Sequence, residues 1–195
     1  MTSTELPTFR FADGTCIAQA QPQPLRPVTL ESPAQWVMTD LTEVRAATAS
    51  AELTLDQAEQ AMIQHGVRML FVAAKLPCVD GIVTLAMLRG DSPIKLVQQR
   101  RVRRTDLFVA DVMSKLSDLD VLDMAAVGRA TVRDVVKVLQ RFGTPHLLVA
   151  EPATLQGPAR IRGVISHTQV ERQLGKPLPM IAVARTFAEI EHVLA

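Results

Sequence analysis

Gly81-Ile82-Val83-Thr84 returns as Gly163-Val164-Ile165-Ser166, and the segments in front of it return in the same order. Val37-Met38-Thr39 is answered by Val112-Met113-Ser114. The run Leu55 to Gly66 is answered by Val132 to Gly143, and Met69-Leu70-Phe71-Val72-Ala73 by His146 to Ala150. The offset is 75 residues at the methionines, 77 at the glycines closing the long runs and 82 at the glycines of the last segment, so the order is kept and the growth is loop insertion. A unit of this size cannot bury its apolar face alone, and two copies cover each other. No catalytic residue repeats with the unit. That points to a binding module and away from an enzyme.

In the first copy Leu55, Ala58, Met62 and Ile63 recur at helical spacing, with Asp56, Gln57, Glu59 and Gln60 on the opposite face. Thr54 suits the N-cap, and Gly66 suits the left-handed residue that closes such a helix. The spacing then predicts a buried strand at Met69 to Ala73, a second at Gly81 to Thr84 and a helix from Leu85. Glu43 to Ala46 reads as a short strand ahead of them. The second copy follows the same order. Thr131 caps a helix with the stripe Val132, Val135, Val136 and Leu139, and Gly143 ends it. Leu147 to Val149 and Ile161 to Ile165 are its strands, and a helix runs from His167 to Leu174. Glu151 to Arg160, with its prolines and glycine, is a surface loop. Each copy is β-α-β-β-α, so the fold class is α/β, an α+β sandwich rather than a doubly wound sheet. Between copies, Ser92-Pro93 reads as an N-cap and first helical residue, with the helix running through Ile94, Leu96 and Val97.

The ends differ from the middle. Asp13-Gly14 between Thr8-Phe9-Arg10-Phe11 and Thr15-Cys16-Ile17-Ala18 is a hairpin signal, and Gln19 to Pro27 is an extended connector. Met180 to Val183 reads as a strand, and Thr186-Phe187-Ala188-Glu189 as a capping box opening a last helix. The expected organisation is an N-terminal arm over 1–35, a first repeat with its linker over 36–110, a second repeat over 111–176 and a strand-helix extension over 177–195.

Composition narrows the function. The 195 residues are 48% hydrophobic and 21% charged with net charge +1, so no whole-protein field draws the chain to nucleic acid or an anionic membrane. One Trp, six Phe and no Tyr leave few platforms for stacking bases. No secretory signal and no membrane-spanning run is visible, and Cys16 and Cys78 lie far apart outside any metal-ligand spacing, so a cytoplasmic location is expected. His65, His146, His167 and His192 have no zinc spacing. Ser166-His167 are neighbours in sequence but lack an orienting third group, and no nucleophile elbow, phosphate loop or paired-carboxylate signature is present. Met62, Met69, Met87, Met113 and Met124 fall at apolar positions and read as core. Arg100-Arg101-Val102-Arg103-Arg104 is the one concentrated charge. It reads either as a solvated linker paired with Asp91, Asp106 or Asp111, or as a phosphate-binding patch that would make the chain nucleic-acid-associated.

The recurring Val-Met-Thr entry, the helix ending in His65-Gly66-Val67-Arg68, and Gly81-Ile82-Val83-Thr84 leading into a helix resemble the CBS domain, which occurs in tandem as a Bateman module. The second copy supplies Phe142-Gly143-Thr144 and Gly163-Val164-Ile165-Ser166, and the resemblance covers roughly residues 36–175. It implies a non-catalytic regulatory sensor that binds an adenosine-type small molecule (AMP, ADP, ATP or S-adenosylmethionine) in clefts between the repeats. It also implies a homodimer that acts on a regulated protein partner not legible in the chain. The ligand-binding candidates it marks are Val67, Arg68, Thr84, Thr144, His146, Ser166 and Gln169. Where the family carries an Asp for the ribose hydroxyls, three residues past Thr84 and Ser166, this chain has Met87 and Gln169. Methionine cannot accept a hydrogen bond from a diol in that way, whereas glutamine accepts without charge, so the second cleft is the better candidate. The alternative is a structural dimerisation module with vestigial clefts.

Overall fold

The computed structural model describes residues 25–155 and 157–179. The expected hairpin at 8–18 and the expected strand and helix after residue 179 lie outside the described residues. The chain runs β1 (Met38–Asp40), β2 (Thr48–Ala49), α1 (Leu55–His65), β3 (Met69–Val72), β4 (Gly81–Thr84), α2 (Leu85–Arg89) and α3 (Asp91–Arg100). It continues through α4 (Val109–Val112), β5 (Ser114–Lys115), β6 (Val121–Asp123), α5 (Met124–Arg129), α6 (Val132–Phe142), β7 (His146–Glu151), β8 (Arg160–Ser166) and α7 (His167–Leu174). The β-α-β-β-α order holds in both copies, as β2-α1-β3-β4-α2 and β6-α6-β7-β8-α7, with α5 added before α6 in the second.

Two four-stranded sheets form, ordered β2-β3-β4-β5 and β1-β8-β7-β6. Each therefore takes its edge strand from the other repeat. Met38 and Thr39 pair with Ile165 and Val164 in the second sheet, and Ser114 pairs with Ile82 in the first. The segments leading to these strands follow them across. Ala34 donates to the Ala130 carbonyl and Val132 to that of Ser32, while Val109 and Ala110 donate to Leu53 and Ala51. The sheets thus interleave across the boundary expected near residue 110.

Strand alternation sorts the core into layers. Leu70, Val72 and Val83 face Leu55, Ala58 and Met62 of α1, and Leu147, Val149 and Ile165 face Val132, Val135 and Leu139 of α6. The residues in between, Met69, Phe71, Ile82 and Leu148, turn to the other side and pack sheet on sheet. The result is helices outside and two sheets inside, each copy covering the other's apolar face.

Local signals mostly decide the element ends. Thr54 and Gln57 form a reciprocal capping box on α1, and at the start of α6 the Asp134 carboxylate accepts from both the N–H and the hydroxyl of Thr131. Gly66 and Gly143 close those helices at φ 64° and 58°, where a side chain would be strained. Three expectations are corrected. Glu43 to Ala46 is not a strand: the Asp40 carboxylate accepts from the Thr42 N–H and hydroxyl, the Asp40 carbonyl accepts from Val44, and the chain turns before extending at Thr48. Ile63 is 64% exposed, so the buried stripe of α1 is the narrower Leu55, Ala58 and Met62. Helix α3 starts at Asp91 with Gly90 as N-cap, placing Pro93 third, where its missing N–H still has no intrahelical acceptor to lose. Between β7 and β8, residues 152–155 are at the surface, with Leu155 fully exposed.

Candidate functional site

A cleft of about 450 Å³ opens where the two repeats meet, within the roughly 300–1,000 Å³ usual for small-molecule sites. The first repeat contributes Arg45, Ala46 and Ala47 ahead of β2, the helix end His65-Gly66-Val67-Arg68, and Met69 and Phe71 of β3. The second contributes His146 of β7, Val164 and Ser166 of β8, and Thr168, Gln169 and Arg172 of α7. The exchanged β1 brings Thr39, and Leu25 stands at the cleft as well. Five of the seven candidates are thereby gathered: Val67, Arg68, His146, Ser166 and Gln169.

Polar groups are set by their elements. His146 and Ser166 are partners across β7 and β8. The Thr39 hydroxyl donates to Gln169 Oε1 at 3.1 Å, so the acceptor expected to meet a ribose is already half used by the exchanged strand. Arg68 Nη1 donates to the Thr168 hydroxyl at 3.3 Å, tying the two repeats together at the cleft. Burial, and then the positive charge of Arg68, hold the His146 imidazole down at about 4, so it is neutral at physiological pH. Its Nδ1 is buried and has no hydrogen-bond partner among the described residues.

Thr84 and Thr144 are not brought to this cleft. The Thr84 hydroxyl is buried and accepts from the Met87 N–H at 3.3 Å as the N-cap of α2, while Met87 packs against the core of the first repeat. The Thr144 hydroxyl donates to the His146 carbonyl at 3.0 Å. Sequence reasoning missed Thr39, Arg45, Thr168 and Arg172. A signal existed for Arg172, which lies three residues past Gln169 on α7 and so on the same helical face. None existed for Thr39, whose place depends on strand exchange.

The arginine cluster resolves into internal pairs. Arg100 meets Asp111, Arg103 meets Asp106 at 3.0 Å, and Arg104 donates to the Leu88 carbonyl at 2.8 Å and approaches Asp56 at 3.7 Å. The linker is largely neutralised where it stands. No group of three or more metal-ligating side chains gathers among the described residues, and no helix among them is long and apolar enough to cross a membrane.

No protein-family model matches the sequence, and no curated protein matches it. Solved structures do. A CBS-domain containing protein from Agrobacterium tumefaciens superposes with a TM-score of 0.53 at 16% identity, covering 80% of this chain and 98% of that one. The fold is that of a tandem CBS-domain pair. An uncharacterized conserved protein from Pyrococcus horikoshii has the same likeness, with a TM-score of 0.54 at 16% identity over 79% of this chain and 100% of that one. A further similar structure was solved in complex with AMP, with a TM-score of 0.47 at 17% identity over 72% of this chain and 93% of that one. The repeat read from sequence and the interleaved sheets are the two faces of this CBS-pair architecture.

Proposed function

We propose that this CBS pair is a non-catalytic regulatory module that senses an adenosine-type small molecule of the AMP, ADP, ATP or S-adenosylmethionine class. It passes its state to a protein partner. The observation that carries the reading is a cleft walled by both repeats. A ligand there touches Val67 and Arg68 of one repeat and His146, Ser166 and Gln169 of the other, so its binding energy depends on how the repeats sit together. Val67, Ala46, Ala47 and Phe71 offer an apolar wall for a ring, and the Gln169 amide offers hydrogen bonds to its polar edge. The Thr84–Met87 position is proposed as silent, since its hydroxyl caps α2 and its thioether is packed.

Calorimetric titration of the full chain with AMP, ATP and S-adenosylmethionine tests this. At least one of the three is expected to bind. Gln169→Ala weakens that binding about tenfold, the loss of one hydrogen bond of roughly 1.4 kcal/mol, and Met87→Ala leaves it unchanged. ATP is not turned over. Absence of heat with all three, and of any nucleotide carried through purification in native mass spectrometry, would leave the structural dimerisation module as the better account.

A further inference from the structure

Leu25, where the described residues begin, is exposed and lines the rim of the cleft, as does Val44, exposed in the turn between β1 and β2. The residues just after Leu25 are fastened to α7, the helix that carries Thr168, Gln169 and Arg172 into the same cleft. Gln173 Nε2 donates to the Arg26 carbonyl at 3.0 Å and to the Trp36 carbonyl at 2.9 Å. The Val28 N–H donates to the Gln173 carbonyl at 3.0 Å, and the Arg26 guanidinium carbon lies 3.2 Å from the centre of the Trp36 ring. Gln173 and Val28 are buried, where such bonds are stronger than in water. The fold therefore fixes the point from which residues 1–24 depart. That point is the mouth of the cleft.

What departs there suits the surface beside it. At about 3.3 Å per extended residue, a handful of the 24 preceding residues crosses a cleft of this size. The stretch 8–18 carries Phe9, Phe11 and Ile17, and the cleft offers Ala46, Ala47, Val67 and Phe71 as an apolar wall. Residues 1–24 hold two acids, Glu5 and Asp13, against one base, Arg10, while Arg45, Arg68 and Arg172 line the cleft and no Asp or Glu does. We infer that residues 1–24 fold back over the cleft of their own chain, laying the 8–18 stretch on its apolar wall as an autoinhibitory strap. A ligand of the cleft must displace it. A strap in place about nine-tenths of the time lowers apparent affinity about tenfold. The gating rests on the cleft being the ligand site proposed above; the contact itself does not.

Thiol cross-linking in the full chain tests the contact. Cys78→Ser removes the exposed cysteine of the body and leaves Cys16 as the probe within the strap. A short bismaleimide is expected to join Cys16, within one chain, to a cysteine placed at the rim by Val44→Cys. One placed on α5 by Arg129→Cys, exposed and outside the cleft, is expected to stay unlinked. Phe9→Ser with Phe11→Ser should lower the rim yield and speed amide exchange over 44–47 and 65–69, with circular dichroism unchanged. That variant should also bind AMP about tenfold more tightly than the unaltered chain. Equal yields at the two positions overturn the strap. A rim cross-link formed only between chains overturns it too, and assigns the covering segment to a second copy. A rim cross-link with AMP bound equally by both proteins upholds the contact and overturns the gating. The same cross-link with AMP bound by neither upholds the contact and counts against the adenosine reading instead.

Discussion

His146 shows how a single side chain couples the site to stability. Burial and Arg68 lower its pKa from 6.5 to about 4. As pH falls below 6.5 the unfolded chain takes up a proton that the folded chain refuses until about 4. Stability is therefore fully present above 6.5 and is lost as pH falls through that window, with a ceiling of roughly 3 kcal/mol for the whole shift. Denaturant unfolding measured across the window should show His146→Gln with the flatter profile. Equal slopes for the two proteins would mean that His146 titrates normally in the fold. Asp40 bears on a lower pH range, because its Arg162 and Thr42 contacts hold its carboxyl well below the usual carboxylate range. Its stabilisation is present at neutral pH and fades only in strong acid. At this scale the residue types of His146 and Gln169 were legible, but their partners were not. Arg68 and Thr39 reach them across the repeat junction, from positions far away in the chain.

The repeated glycines explain themselves at the scale of the element. A Cβ at Gly81 would lie 2.2 Å from the Ser114 carbonyl oxygen of β5, and one at Gly163 would lie 2.5 Å from Met38 Sδ and 2.9 Å from the Thr39 carbonyl oxygen of β1. Each glycine is the place where the exchanged edge strand closes on the sheet. Gly81→Ala and Gly163→Ala should each cost about 1–3 kcal/mol by overpacking, read as a fall in the unfolding midpoint. Gly81→Ala should be the worse of the two, since a backbone oxygen yields less readily than a methionine side chain. A neutral outcome at Gly81 would contradict the observed register of β4 against β5. The sequence motif Gly-hydrophobic-hydrophobic-hydroxyl is thus a packing requirement first. Its terminal hydroxyl takes a different role in each copy, a cap at Thr84 and a cleft wall at Ser166.

At the scale of the whole molecule the two repeats are held by a shared layer and by traded strands, so neither is a free-standing unit. Met69, Phe71, Ile82 and Leu148 form the layer, and Phe71 also borders the cleft. The outer surfaces still carry apolar residues, with Ile63 of α1 64% exposed and Ile94 of α3 57% exposed. We propose that such helix faces are covered in a homodimer, as closed two-fold assembly would do. Light scattering at tens of micromolar should report twice the chain mass, and Ile63→Glu or Ile94→Glu should shift it toward one. A monomer in the unaltered protein would remove this part of the proposal.

By itself the sequence determined the elements and their repetition. Helix stripes, caps and glycine stops are set by neighbours a few residues apart, so α1, α6, α7 and the strands β3, β4, β7 and β8 could be read from local pattern. The tertiary structure alone decided which sheet each entry strand joined, because β1 and β5 pair with partners from the opposite repeat and short strands carry no address for a distant edge. It also decided how the inequality that Met87 and Gln169 mark in the sequence is built. One hydroxyl-bearing strand end closed on its own helix, and the other, with Gln169, His146 and arginines gathered from both repeats, was left open, since only three-dimensional packing determines which polar groups are spent on the fold and which remain for a ligand.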